Sequence, residues 1–333
     1  MRVLVTGGLG FIGSHTVVEL QQAGHEVVIV DNCSNADTDV LLGIEKITNI
    51  RPDFENVDIR NTSELASKMF KYENIDAVVH FAAKKSVGES ESNPLTYYDN
   101  NVNGTLSLLK FIKDWNIPRV VFSSSCTVYG LPDTLPVSER ESIKTAGSVY
   151  GHTKQVCEQM ITNFMKEHEC GMMVLRYFNP VGAHPSAHIG ELPRGAPDNL
   201  VPYITQTAAG IRDQLTIHGD DYDTPDGTCV RDYLHVVDLA KAHVLAVTKC
   251  EAFQADHINL GTGKGYSVRE IVETFENVTN IKLNYKIGSR RPGDIPAVWN
   301  DPEYAKSRLG WSAELNLSQM LQHAWQWQKT LTT

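Results

Sequence analysis

Two side chains able to exchange protons, Tyr150 and Lys154, lie four residues apart in the segment 148–154, which reads SVYGHTK. Residues four apart share one face of a helix, so a helix here would direct the phenol and the ammonium into the same cavity. A neighbouring ammonium stabilises a phenolate and makes a tyrosine a usable base near neutral pH. The same spacing also occurs on ordinary solvated helix faces, so its meaning depends on the rest of the chain.

The segment 123–130, which reads SSSCTVYG, begins with serines at the end of a predicted strand that spans 119–123. In a parallel sheet, a hydroxyl at the carboxyl end of a strand lies at the edge where ligands bind. Serines in such a run can also simply cap a turn. Because Tyr150 and Lys154 follow, we predict a catalytic role for one of these hydroxyls.

A glycine turn near the start of the chain predicts a dinucleotide site. The predicted strand 2–6 leads into Gly7, Gly10 and Gly13, spaced G-x-x-G-x-x-G, and then into an amphipathic run over 12–23 that is typical of a helix. Glycines let the backbone approach a pyrophosphate closely, and the helix N-terminus offers N–H groups with a partial positive charge. The sequence therefore predicts that this turn binds the pyrophosphate of a dinucleotide.

Asp31 indicates which dinucleotide is bound. It ends a second predicted strand, 26–30, at about the distance from Gly13 where a carboxylate binds the adenosine ribose. An acid at this position repels a 2′-phosphate, so we predict NAD rather than NADP as cofactor. Asp58, after a third predicted strand, is a candidate for binding the adenine edge.

Strand and helix patterns alternate through the first half of the chain. A helix over 63–72, a strand over 76–81 and a long helix over about 95–115 precede the strand 119–123. This alternation predicts an α/β fold with a Rossmann-type doubly wound parallel sheet. Ligands then bind at the carboxyl ends of the strands.

Composition excludes several other classes of protein. The 333 residues are 41% apolar and 21% charged, which is typical of a globular chain. The net charge of -10 argues against nucleic acid as the main partner. No apolar run approaches the roughly 18 residues needed to span a bilayer, so we expect no membrane partner. The apolar run near the start of the chain is short and interrupted by glycines, so we do not expect it to be a signal peptide.

Six scattered cysteines form no C-x-x-C pair, and we expect reduced, mostly buried thiols and a cytoplasmic location. His184 and His188 share a predicted loop, but no cysteine or carboxylate lies at ligand spacing around them. We therefore expect no metal site.

Several segments together resemble the extended short-chain dehydrogenase/reductases and, within them, the UDP-glucose 4-epimerases. The resemblance begins with TGGLGFIG, SSSCTVYG and SVYGHTK. It continues with HFAAKKSVGES, YYDNNVNGT, LRYFNPVGAHPS, NLVPYITQ, DGTCVRDYLHVVDLA and RRPGDIPAVW, and so covers nearly the whole chain.

The resemblance implies three sets of site residues. The catalytic set is Ser125, Tyr150 and Lys154. The NAD set comprises Gly7, Gly10, Phe11, Ile12, Gly13, Asp31, Asn32, Asn35, Asp58, Ile59, Phe81, Ala82, Lys85, Asn100 and Phe178, together with the catalytic residues. The substrate set comprises Asn179, Asn199, Leu200, Arg231, Tyr233, Arg291, Asp294 and Val298, together with Ser125 and Tyr150.

The family's chemistry implies the function. An isomerase of this kind interconverts UDP-glucose and UDP-galactose by transient oxidation at C4 to a 4-keto sugar, with Tyr150 as the base. NAD would be tightly bound because it is regenerated in each cycle. Lys154 would stabilise the phenolate and bind the nicotinamide ribose, and Arg231 and Arg291 would hold the diphosphate.

The family also implies a domain arrangement and an oligomer. Residues 1–178 would form the NAD-binding Rossmann domain and 179–333 a smaller α/β domain that binds the UDP-sugar, with the chain free to cross between them. A homodimer would form through the helix from about 95 and the helix carrying Tyr150, as a four-helix bundle.

Rival functions are distinguished by single positions. Related 4,6-dehydratases carry an Asp-Glu pair directly after the catalytic hydroxyl, where this chain has Cys126 and Thr127. Another NAD-dependent nucleotide-sugar epimerase and a non-enzymatic NAD-sensing Rossmann protein stay open as alternatives. Val298 stands where epimerases strict for unsubstituted hexoses tend to have tyrosine, so we expect UDP-N-acetylglucosamine and UDP-N-acetylgalactosamine as further substrates.

Overall fold

The computed structural model describes residues 1–72, 74–250, 255–291 and 293–332. The chain divides into two compact units and passes between them more than once. The first unit contains Met1–Gly130, Ser142–Tyr177 and Ala240–Ile258, and the second contains Leu131–Glu141, Phe178–Leu239 and Asn259–Thr333. The assignment of NAD to a first domain and of the UDP-sugar to a second stays a prediction.

The strands are β1 Arg2–Thr6, β2 Glu26–Asp31, β3 Asp53–Asn56, β4 Ala77–His80, β5 Arg119–Ser125, β6 Gly171–Tyr177, β7 Asn179–Val181, β8 Leu215–His218, β9 Val230–His235, β10 Ala255–Leu260, β11 Gly265–Ser267, β12 Tyr285–Gly288 and β13 Ala297–Val298. The α-helices are α1 Phe11–Gln22, α2 Val40–Thr48, α3 Thr62–Met69, α4 Val87–Ser92, α5 Pro94–Tyr97, α6 Gly104–Asp114, α7 Val149–Met165, α8 Leu200–Ala208, α9 Val236–Lys249, α10 Val268–Thr279, α11 Glu303–Leu309 and α12 Leu317–Thr330. No helix in these ranges is long and apolar enough to cross a membrane.

A seven-stranded sheet forms the centre of the first unit, in the order β10-β6-β5-β4-β1-β2-β3. Every pairing among β1 to β6 is parallel. Parallel strands are covered by helices on both faces, which explains why Val3, Leu4 and Val5 in β1 are all fully buried. The predicted Rossmann-type doubly wound sheet is confirmed.

The helix predicted over about 95–115 is interrupted. A π-helical turn, Tyr98–Asn103, separates α5 from α6. In this turn Asn101 is buried, accepts a hydrogen bond from the Lys84 amide at 2.8 Å and donates to the Thr153 hydroxyl at 3.1 Å. Such turns are frequent at functional sites because one extra residue redirects the side chains beside it. The helical pattern of the sequence carries no signal for that extra residue.

The second unit is built around a smaller sheet. β9 lies between β11 and β13 and also pairs with β7, while β12 and β8 form a separate parallel pair. Helices α8, α10 and α12 cover an apolar core that includes Ile204, Phe275 and Leu321. Both α10 and α12 begin with a capping box, which satisfies their first amide groups.

Asp232, in the middle of β9, fixes the loops beside this sheet. Its fully buried carboxylate accepts hydrogen bonds from the amides of Thr262, Gly263 and Asn300, at 2.9, 3.0 and 3.1 Å, and from the Thr262 hydroxyl at 2.6 Å. Burial raises the pKa of the Asp232 carboxyl, and these donors oppose that rise. The carboxylate therefore ties the end of β13 to β9, the strand that carries Arg231 and Tyr233.

We expect Asp232→Ala to lower the free energy of unfolding by about 3 kcal/mol, because several buried amide groups would lose their hydrogen-bond acceptor. Urea denaturation followed by circular dichroism measures the change. The matched control is Asp213→Ala, at an exposed position of the same unit. Equal denaturation midpoints for the two variants would contradict this role of Asp232.

Candidate active site

Four neighbouring strands of the first unit deliver predicted site residues to one edge of the sheet. β5, β4, β1 and β2 are adjacent. Ser125 ends β5, Phe81 follows β4, Gly7 follows β1 and Asp31 ends β2. Because parallel strands all end at the same edge, four residues far apart in sequence lie in one row.

The start of α7 is held in place by α4. The Ser148 hydroxyl caps α7 by accepting from the Gly151 amide at 3.1 Å. The amide of Tyr150 donates to the Ser90 hydroxyl at 3.1 Å, and the amide of Val149 donates to the Glu91 carboxylate at 2.8 Å. The first free amides of the helix are thus satisfied, and the direction in which Tyr150 leaves the helix is fixed.

The phenol of Tyr150 meets Ser125. Although Tyr150 as a residue is partly exposed, its phenol is surrounded by protein atoms, and this burial raises its pKa. A hydrogen bond with Ser125 lowers the pKa but does not offset burial. The Ser125 hydroxyl also accepts from the hydroxyl of Thr127 at 3.0 Å. The two residues predicted to share the proton transfer therefore lie in contact.

Lys154 lies one turn further along α7 and is almost fully buried. Its ammonium donates to the Ser123 carbonyl at 2.7 Å and lies 5.9 Å from the centroid of the Tyr150 ring. Burial lowers the pKa of Lys154 to about 8, with Cys157 and Glu158 acting in the opposite direction. The lowering of the Tyr150 pKa by Lys154 and the cofactor together stays a prediction.

The glycine turn fits a pyrophosphate. Gly7 has a φ of +71°. A Cβ there would lie 2.6 Å from the Ala82 amide nitrogen, and a Cβ on Gly13 would lie 2.3 Å from the Gly7 carbonyl oxygen. Helix α1 begins at Phe11 after Gly10, which provides no side-chain cap. The first amides of α1 are thus available to an anion in a turn that no larger residue could form.

The carboxylate of Asp31 is oriented by the backbone. It accepts hydrogen bonds from the amides of Leu9 at 3.2 Å and Cys33 at 3.0 Å. Beside it, the Asn32 side chain donates to Asp58 at 3.0 Å, and a hydrogen bond from Arg60 holds the pKa of Asp58 well below its usual range. Asp58 is therefore ionised, and these predicted NAD residues form one polar cluster.

The other predicted NAD residues are spread over the same unit, with one exception. Ile59 is buried, Phe81 packs against His243 with ring centroids 4.8 Å apart and ring planes tilted by 50°, and Asn100 lies in the π-helical turn. Asn35 and Lys85 are exposed on loops. Phe178 belongs to the second unit, where its amide donates to the Leu260 carbonyl.

In the second unit, β9 brings four predicted substrate residues together by register. Tyr233 pairs with Asn179 on β7, and Arg231 pairs with Val298 on β13. Tyr233 is buried, which raises its pKa to about 12. The sequence separates these residues by long stretches, and only the strand pairing makes them neighbours.

Asp294 links the two predicted diphosphate-binding arginines. Its carboxylate oxygens lie 3.6 Å from Arg231 Nη2 and 3.1 Å from Arg291 Nε. Asn199 and Leu200 lie at the start of α8, where the Asn199 side chain donates to Glu191 at 2.9 Å. Two guanidinium groups around one carboxylate form a positively charged cluster suited to a diphosphate.

A buried ion pair that was not predicted from the sequence lies beside the predicted catalytic residues. Glu158 and Arg176 join at 2.7 Å, and both are nearly inaccessible to solvent. For each of the two residues, the sequence contains a feature from which its burial could have been predicted. Glu158 lies four residues after Lys154 on the same helix face, and Arg176 interrupts the apolar strand β6.

Comparison with known proteins shows the family of this chain. The model of the NAD dependent epimerase/dehydratase family matches residues 3–261. UDP-glucose 4-epimerase of Bacillus subtilis (strain 168) is 46% identical over 99% of this chain and 97% of its own length.

Two solved structures are close in fold. The UDP-glucose 4-epimerase of Stenotrophomonas maltophila, solved with NAD and formylated UDP-arabinopyranose, has a TM-score of 0.97 and 48% identity, covering 100% of this chain and 99% of its own. That of Bifidobacterium longum, solved with NAD+ and UDP, has a TM-score of 0.96 and 44% identity, covering 99% and 98%. With both its sequence and its fold matched over nearly their full length, this chain belongs to the NAD-dependent epimerase/dehydratase family, among the UDP-glucose 4-epimerases.

Proposed function

We propose that this chain interconverts UDP-glucose and UDP-galactose by reversible oxidation at C4, with Tyr150 as the base. The observation that carries the proposal is the contact of the Tyr150 phenol with Ser125, one helical turn from the buried ammonium of Lys154. The names of the full-length relatives point to the same reaction.

The glycine turn, Asp31 and the polar cluster with Asp58 are the residues that would hold NAD. When bound, the cofactor supplies an acceptor for the C4 hydride and a positive ring near the phenol. Asp31 favours a free ribose 2′-hydroxyl over a phosphate, because its oriented carboxylate accepts a hydrogen bond and repels an anion.

Tyr150 takes the proton of the 4-hydroxyl as a phenolate and returns it after the sugar has turned. Burial opposes the phenolate, so the base depends on nearby positive charge and hydrogen-bond donors. Lys154 is placed to supply the charge, and Ser125 contacts the phenol oxygen that exchanges the proton. Neither Cys126 nor Thr127 can perform the acid–base step that dehydration requires.

The second unit holds the UDP group in this proposal. Arg231 and Arg291 would exchange their contacts with Asp294 for contacts with the diphosphate, a bidentate ligand that suits guanidinium geometry. Epimerisation requires the 4-keto hexose to turn and receive the hydride on its other face. Binding energy is therefore best placed on the UDP group, which leaves the hexose free to rotate.

Replacing Tyr150 by Phe tests the base. We expect Tyr150→Phe to lower kcat for UDP-galactose by at least about a hundredfold, the usual contribution of a positioned acid–base group. Conversion to UDP-glucose in a coupled assay measures it. Tyr72→Phe is the matched control, since this buried tyrosine donates to Glu55 at 2.9 Å and belongs to none of the predicted site sets. Full activity of Tyr150→Phe would exclude the mechanism. Absence of turnover by the wild type would instead favour the NAD sensor or an epimerase for another nucleotide sugar.

We also propose that N-acetylated UDP-hexoses are substrates. Val298 is buried. It pairs with Arg231, the proposed diphosphate ligand, and so lies on the small sheet that carries predicted substrate residues. A valine leaves more room at this position than a tyrosine, whose phenol is larger than an acetamido group.

Val298→Tyr should lower kcat/KM for UDP-N-acetylglucosamine by about tenfold or more while largely sparing UDP-glucose, because overfilling a pocket rejects the larger ligand. Val298→Ala is the control and should keep both activities. The ratio of the two kcat/KM values decides the question. Unchanged N-acetylated turnover in Val298→Tyr would show that this position does not set the substrate range.

We further propose that the chain works in the cytoplasm and forms a homodimer through the helical segment that begins near residue 95, which includes α5 and α6, and through α7. Leu95 and Leu106 are 81% and 41% exposed on the neighbouring helices α5 and α6, and burying these side chains in an interface would be favourable. All six cysteines are free thiols, as expected in a reducing compartment.

Sedimentation equilibrium tests the dimer. We expect Leu95→Glu combined with Leu106→Glu to convert the dimer to monomer, because two charges would be buried in an apolar interface. Phe70→Glu is the control, at a residue 84% exposed on a different helix end. A monomeric wild type would rule out the dimer.

A further inference from the structure

A buried ion pair lies behind the catalytic residues of the first unit. Arg176 donates to Glu158 twice, from Nε at 3.0 Å and from Nη2 at 2.7 Å. Its third nitrogen, Nη1, donates to the Tyr129 hydroxyl at 2.8 Å, and its guanidinium lies 4.9 Å from the centroid of the Tyr129 ring. His257 is a more distant neighbour, 3.8 Å from Glu158. Each of the three guanidinium nitrogens of Arg176 thus donates a hydrogen bond.

The ion pair reaches the end of β5 through one hydroxyl. Ser124 Oγ donates to Glu158 Oε1 at 2.5 Å, and Ser124 is 1% exposed. Its neighbours in the strand are Ser123, whose carbonyl accepts from Lys154, and Ser125, which contacts Tyr150. Side chains alternate along a strand, so Ser124 points away from the face to which Ser125 contributes its hydroxyl.

Lys154 and Glu158, one turn apart on α7, therefore hold two successive residues of β5. Lys154 binds the Ser123 carbonyl and Glu158 binds the Ser124 hydroxyl. Two attachment points fix both the distance and the register between the helix and the strand. Arg176 extends the attachment to β6, the next strand of the sheet.

Stability is a weak reason for such a pair. Taking two charges out of water costs several kcal/mol per ion, and apolar replacements are often at least as stable. A geometric function explains the placement better, because chemistry that depends on contact between two side chains is sensitive to shifts of about 1 Å.

We propose that Glu158 and Arg176 are positioning residues for the reaction: by holding Ser124, they keep Ser125 within reach of the Tyr150 phenol. This inference rests on the proposed function. It assigns the pair no contact with substrate or cofactor.

Ser124→Ala tests the inference without stranding a buried charge, since Glu158 keeps both bonds from Arg176. Ser107→Ala on α6 is the matched control, another buried serine of the first unit. We expect Ser124→Ala to lower kcat about tenfold with KM for UDP-galactose within about twofold, because misplacement of a reacting group affects the chemical step. Ser107→Ala should keep the wild-type kcat. Crystal structures of both variants measure the distance from Ser125 Oγ to the Tyr150 hydroxyl.

Equal kcat values for Ser124→Ala and Ser107→Ala would overturn the inference, as would a lower kcat with that distance unchanged from wild type. A wild type that does not turn over UDP-sugars would refute the proposed function separately. The two crystal structures would still decide the inference in that case. A longer distance in Ser124→Ala supports positioning by the ion pair, and an unchanged distance excludes it.

Discussion

The hydrogen bond from the Lys154 ammonium to the Ser123 carbonyl is the contact on which the candidate site depends. It joins α7, which presents Tyr150, to β5, which presents Ser125, inside a region closed to solvent. Burying an ammonium is costly, and the cost is visible as a pKa of Lys154 lowered to about 8. The Ser123 carbonyl and the face of Phe122, 4.9 Å from Lys154 Nζ, compensate part of it. The buried ammonium of Lys154 lies 5.9 Å from the centroid of the Tyr150 ring, so a positive charge is close to a phenol whose burial disfavours ionisation.

The two units differ in the kind of contact that they offer to a ligand. In the first, strand ends, glycines and a helix N-terminus create a cradle for an extended anion, and close backbone approach matters more than side-chain charge. In the second, the buried carboxylate of Asp232 fixes loops around β9, so that Arg231 and Tyr233 occupy set positions on a small sheet. Anchoring a diphosphate needs fixed charges. Turning a hexose over needs the absence of fixed contacts, and the proposed function accordingly assigns the two arginines of the substrate set to the diphosphate.

The local parts of this arrangement could be predicted from the sequence. A strand followed by spaced glycines, an acid after the next strand, and a tyrosine and a lysine four residues apart are each visible within a few residues. Four features could not be read in that way. The π-helical turn around Asn101 depends on contacts with Lys84 and Thr153. The pairing of Asn179 with Tyr233, and of Val298 with Arg231, is a matter of register between distant strands. The link from Ser124 to Glu158 and Arg176 joins residues on two strands and a helix. The direction of the Tyr150 pKa shift reflects how many atoms surround the phenol, which no spacing reveals.

That last difference bears on how the base is controlled. The family resemblance implies that Lys154 and the cationic nicotinamide together lower the pKa of Tyr150, whereas in the chain by itself burial dominates and raises that pKa. The phenol is therefore neutral near pH 7 until further positive charge is added, because desolvation disfavours the charged form and the hydrogen bond with Ser125 compensates only in part. A neutral phenol cannot abstract a proton from an arbitrary alcohol that enters the site. In the proposed mechanism, basicity arises only when cofactor charge joins that of Lys154, which would confine the reactive form of Tyr150 to the complex that also holds a hydride acceptor.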